Sequence, residues 1–126
     1  MRAAVILAVL AAPALAEPLP SGIEAELTEV LIDTVGDEQW VRFRLIAPAI
    51  DRALAAAPRF AELEEDFPHL CTTLALPYLT EYALKADKIV ISLSDRAVEF
   101  GTSDPDATQY FEQFRAENGD CIWEGF

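Results

Sequence analysis

Cys71 in HLCTTLALP and Cys121 in GDCIWEGF are the only cysteines of this chain, and His69, two residues before the first, is its only histidine. The close C-x-x-C spacing of a redox enzyme is missing. In an oxidising compartment an even cysteine count predicts a disulfide, here a single Cys71–Cys121 bridge closing a loop of about 50 residues. In a reducing compartment the same residues read instead as free thiols, metal ligands or a Cys–His nucleophilic pair. The chemistry of the sulfurs therefore turns on location.

As a histidine, His69 has the chemistry of a general base. Paired with Asp95 or Glu99 it would make a small hydrolase or ligand-binding site, in which burial divides acid and base roles between carboxyl groups. A zinc site needs further ligands at defined spacing, and there is no second histidine. The chain also lacks H-E-x-x-H, G-x-S-x-G and a phosphate-cradling glycine loop. No catalytic, metal-binding or cofactor-binding residue is assigned on these grounds. Recognition has better candidates. Trp40, Arg42 and Arg44 alternate along one stretch and share a face, an aromatic anchor beside two guanidinium groups; the same placement also suits ion pairs with carboxylates across the sheet. Arg96, in the turn after the next predicted strand, has the right chemistry to bind a carboxylate.

The elements that would hold these residues follow from periodicity. A first strand is predicted over 24–33 and a second in WVRFRLI, with VGDEQ between them as a hairpin. In the second, Val41, Phe43 and Leu45 point to one side and Trp40, Arg42, Arg44 and Ile46 to the other. Residues 47–59 are compatible with a short helix or an irregular crossover. Phe60, Leu63, Phe67, Leu70, Cys71 and Leu74 recur at helical spacing. Either the helix bends at Pro68 or a new helix starts at Asp66 with Pro68 in its first turn, and Pro77 marks the end, with YLTEYAL compatible with another short turn of helix. KIVISLS is a central strand, followed by a turn at Ser94-Asp95-Arg96 and a short strand in AVEF. TSDPDATQYFEQFRAENG carries helix signals: Asp104 as N-cap, Pro105 at the first position, Tyr110, Phe111 and Phe114 as apolar stripe, and Gly119 as C-cap. Cys121-Ile122-Trp123 closes the chain as a strand, with Trp123 either in the core or on an exposed WEGF edge. The order β-β-α-β-β-α-β predicts a small α+β domain with a mostly antiparallel sheet covered by helices.

The N-terminus supplies the location. MRAAVILAVLAAPALA has a short basic start, an apolar run of about 14 residues and small residues at Ala14 and Ala16, the pattern of a cleaved export signal; a membrane span needs about 20. Residues 1–16 are accordingly a leader and 17–126 one mature domain in the periplasm, not stably inserted in a membrane. Cleavage removes one of the nine basic residues and none of the 22 acidic ones, leaving a net charge near −14. Such a charge repels nucleic acid and anionic lipid.

The stretches WVRFRLIAP, HLCTTLALP, KIVISLSDRAVEFG and ATQYFEQFRAENGDCIWEGF resemble a family of small exported alphaproteobacterial proteins of unknown function, over Trp40–Phe126. The resemblance implies export and a disulfide, and brings no catalytic residues with it. Together these features predict a non-enzymatic periplasmic domain that binds or accompanies another protein, with the His69–Asp95/Glu99 hydrolase as the alternative. Export carries its own check: intact-mass analysis of the protein from a cell envelope fraction is expected to show a chain starting at Glu17.

Overall fold

A computed structural model describes residues 4–7 and 18–125. Six strands, β1 (Ala4–Leu7), β2 (Glu26–Val35), β3 (Glu38–Ile46), β4 (Lys88–Ser94), β5 (Gln109–Glu117) and β6 (Asp120–Trp123), form one sheet in that spatial order. Every neighbouring pair is antiparallel except β3–β4. The expected leader, residues 1–16, lies outside the described residues except for β1, which pairs with β2 from Ala4 opposite Asp33 to Leu7 opposite Val30.

Gly36 makes the β2–β3 hairpin tight. Its φ of 65° suits the first position of a two-residue turn, where a side chain would be strained. Parallel pairing of β3 with β4 then demands a long crossover. It begins with 3-10 turns at Pro48–Ile50 and Phe60–Leu63. It continues as helix α1 (Asp66–Leu70), a π-helical turn (Cys71–Ala75) and α2 (Leu76–Glu81). Residues 47–59 are therefore an irregular segment; Ile50 is buried while Leu54 is half exposed. The helical segment passes through Pro77 instead of stopping there. A proline ring normally collides with the carbonyl four residues back, and the wider π turn just before Pro77 removes that conflict.

This crossover covers one face of the sheet. Phe67, Leu70, Cys71, Ala75 and Leu79 pack on Val41, Phe43, Leu45, Ile89, Ile91, Leu93 and Phe114. Tyr78 meets Phe43 edge to face, with ring centroids 5.4 Å apart. Asp66 does not cap its own helix. Its buried carboxylate accepts the N–H of Ser21 at 2.9 Å and the Ser21 hydroxyl at 2.6 Å, fastening the segment before β2 to the helix start. Cys71 and Cys121 are joined, with Cα atoms 6.2 Å apart, tying the helical layer to β6.

Two expected elements are replaced. The helix expected from Asp104 is instead a turn followed by β5, and AVEF is loop. Asp104 accepts the N–H of Asp106 at 3.0 Å in a tight turn, a use of Asp and Pro that competes with helix capping. Asn118 and Gly119, with φ of 54° and 80°, form the β5–β6 hairpin, so Gly119 is a turn residue and not a helix cap. Asn-Gly flanked by alternating residues is the stronger local signal, and the free edge of β4 offers the segment a ladder that a helix would forgo. The molecule is a small α+β domain with a mixed, mostly antiparallel sheet and one helical region. Of the two placements open to Trp123, the exposed edge holds and the core does not: β6 is an edge strand and Trp123 is 64% exposed. Opening a covalent loop of 50 residues by a paired Cys71→Ser, Cys121→Ser substitution is expected to lower unfolding free energy by about 4 kcal/mol in the chain-entropy limit, measured by urea denaturation against the oxidised protein.

Candidate functional site

Among the described residues, no helix covers the opposite face of the sheet. Alternation along β3 sends Trp40, Arg42 and Arg44 to it, while Val41, Phe43 and Leu45 fill the core. Register sets Arg42 between Leu31 and Val90, and Arg44 between Glu29 and Ser92. Both guanidinium groups are paired across β2: Arg42 with Asp33 at 3.2 Å and Arg44 with Glu29 at 2.6 Å. The face is thus not a bare basic stripe. Trp40 donates its indole N–H to Glu38 at 3.1 Å and lies under the Arg42 guanidinium, 5.2 Å from the ring centroid.

The loop after β4 folds back over these arginines. Arg44 donates to the Val98 carbonyl at 2.8 Å, and the Phe100 ring lies 5.3 Å from the Arg42 guanidinium and 5.5 Å from that of Arg44. A tight turn holds Phe100 there: the Thr102 N–H and hydroxyl both bond the Glu99 carbonyl, and Gly101 takes a φ of 87°. Phe111 on β5 closes the far side. A concavity of about 140 Å³ is bounded by Arg42, Arg44, Ser92, Glu99, Phe100 and Phe111. Phe100 and Phe111 remain 42% and 48% exposed. Asp33 Oδ1 and Arg42 Nε are buried without a hydrogen-bond partner, one acceptor and one donor beside each other on this face. Guanidinium planes stacked with aromatic rings favour aromatic, aliphatic and amide groups over free anions, since the arginine charge is already matched.

Arg96 lines a smaller depression of about 60 Å³ beside it, shared with Arg44, Ser92 and Ser94. Its guanidinium bonds Asp95 at 2.8 Å and approaches Asp51 at 3.7 Å. The arginines on β3 and the one in the loop therefore adjoin, though each has a carboxylate partner. Arg115, Lys88 and Glu124 make a further ion-pair cluster at the β5–β6 end of the same face.

The alternative site is not assembled. His69 is exposed on α1, on the helix-covered side, whereas Glu99 lines the concavity on the other side, so the sheet separates them. Asp95 is committed structurally: Oδ1 accepts the Thr108 N–H at 2.5 Å and Oδ2 the Arg96 guanidinium. Burial works to raise the Asp95 pKa, but the bonds from Thr108 and Arg96 outweigh it and hold the carboxyl below its ordinary range. Among the described residues no group of three or more His, Cys, Asp or Glu is placed to hold a metal. No described helix is long and apolar enough to cross a membrane.

A family model spans residues 3–126 of the sequence. The chain belongs to the family of unknown function DUF6497. No curated protein and no solved structure matches it. In this DUF6497 chain the signal for Arg42 and Arg44 lay in plain strand alternation, whereas Phe100 and Phe111 were missed as surface residues because their segments were expected to be strand and helix. Glu29 and Asp33 as arginine partners follow only from the β2–β3 register.

The Asp95 contacts set a pH dependence. Because the folded carboxyl ionises more readily than the unfolded one, its contribution is complete above the unfolded pKa and disappears as pH falls through the folded pKa. Glu124, held down by bonds from Lys88 and then Arg115, acts in the same direction. Asp95→Asn is expected to destabilise the protein at pH 7 by about 1–3 kcal/mol. It should also shrink the loss of stability between pH 5 and acid, compared with wild type, in urea midpoints across pH.

Proposed function

We propose that this DUF6497 chain is an exported, non-enzymatic domain that recognises another protein through the open face of its sheet. The observation that carries this is the convergence of half-exposed Phe100 and Phe111 on the stacked Arg42 and Arg44 around one concavity. Arginine and aromatic side chains in a pocket are the composition of binding hot spots, where a partner's apolar or aromatic group is desolvated. The concavity of about 140 Å³ adjoins a wider, more open depression of about 800 Å³ that shares Arg42 and Phe100, so the face offers a pocket within a broader contact surface. The disulfide supports residence in an oxidising compartment, here the periplasm, reached by cleavage of residues 1–16.

The test compares tagged wild type with Phe111→Ser and Phe100→Ser after cross-linking in intact cells. One stoichiometric partner is expected with wild type, at least tenfold depleted with either variant, while both variants keep the wild-type urea midpoint to within about 0.5 kcal/mol. Equal recovery of the partner by all three proteins, or none with wild type, would remove the open face from consideration.

A further inference from the structure

Export has a consequence at the other edge of the sheet. β1, Ala4–Leu7, is the outermost strand and pairs with β2 across Val30–Asp33. Cleavage after Ala16 would remove it. That leaves the backbone groups of β2 that faced β1 without partners, alongside Val30, a fully buried core residue.

Sheet edges that stay solvent-exposed are blunted by shortness, lysine, proline or bulges at the exposed positions. β6, the opposite edge, is four residues long. β2 is ten residues long, and of the four residues that β1 covers Val30, Leu31 and Ile32 are apolar while the one charge, Asp33, is paired with Arg42. Its irregularity, between Leu27 and Glu29, lies outside the part that β1 covers. β2 is therefore built as an interior strand, and the leader shows what fits against it: a short, extended, apolar segment running antiparallel.

We infer that in the mature domain the vacated edge of β2 accepts an extended apolar segment of another protein, antiparallel at Val30–Asp33, by strand addition. This mode takes its affinity from main-chain hydrogen bonds and its selectivity from alternate side chains. A second copy of the chain is the poorer occupant. β2 carries Glu26, Glu29 and Asp33 and no basic residue, so two β2 strands side by side would bring like charges together within a domain already near −14. The charge selects a segment with a basic flank, as Arg2 precedes the apolar run of the leader itself.

The inference rests on the export and cleavage proposed above, and not on the open face. Protein recovered from the periplasm is first weighed by intact mass. It is then mixed with a synthetic peptide of residues 2–8, RAAVILA, and with the same peptide carrying Ile6→Pro, and followed by hydrogen exchange and sedimentation velocity. The expected result is a chain starting at Glu17, monomeric alone. RAAVILA should slow exchange at least tenfold in a β2 peptide spanning Val30–Asp33, and the proline peptide should leave it unchanged. A mass that retains residues 1–16 would overturn both cleavage and the vacated edge. A correctly cleaved monomer whose β2 exchange ignores RAAVILA would overturn strand acceptance alone. A dimer that RAAVILA dissociates would make the second copy the occupant and overturn the partner assignment.

Discussion

Parallel pairing of β3 with β4 is the constraint on which the rest of the architecture depends. Two parallel neighbours cannot be joined by a hairpin, so the chain must leave the sheet at Ala47 and return at Lys88. Every helical residue of the described chain lies in that excursion. The excursion packs on one face only, and this makes the two faces chemically different. One side is a core of Phe43, Ile91, Phe67 and their neighbours. The other is a surface of paired arginines and aromatic rings.

The disulfide acts on the same asymmetry. Cys71 lies in the π turn at the middle of the helical segment, and Cys121 lies on the last strand, opposite Ala116 in register. The bond thus ties the helical layer to the edge farthest from β2, where β6 has few core contacts of its own. Burial, and not the strand ladder, holds the helices down over the central strands, where Leu63, Phe67 and Cys71 are fully enclosed. The bridge and the core therefore secure different parts of the same layer.

On the open face, charge is used for placement. Arg42 and Arg44 are each paired with a β2 carboxylate, and the Phe100 ring lies within 5.5 Å of both guanidinium groups. An acidic chain with nine basic residues directs two of them to adjacent alternate positions on one strand. On the neighbouring strand Glu29 lies directly opposite Arg44, whereas Asp33 lies opposite Trp40 and reaches Arg42 diagonally. Cross-strand ion pairs of this kind add little stability individually, so their consequence is geometric: a stacked, nearly neutral surface that keeps two phenylalanine rings in partial contact with water.

Alternation of side chains in β3 and β4 was legible from residue order alone, because a strand's period of two is a property of its own backbone and needs no neighbour. The helical spacing from Phe67 to Leu74, the Gly36 turn and the single pairing open to two cysteines were legible for the same reason. The segment Asp104–Gly119 was not. Its Asp-Pro start satisfies both a helix and a turn, its aromatic residues satisfy both periods, and only the unpaired edge of β4 decides between them. The passage of the helix through Pro77 likewise depends on a π turn that buries Cys71 and Ala75. The site is divided in the same way: the arginines were placed by local geometry, and Phe100 and Phe111 came to them only through the tertiary path of a loop and the register of a strand. Local sequence determines what its own backbone can satisfy, whereas a segment with two acceptable conformations is settled by the hydrogen bonds and buried surface that distant parts of the chain supply.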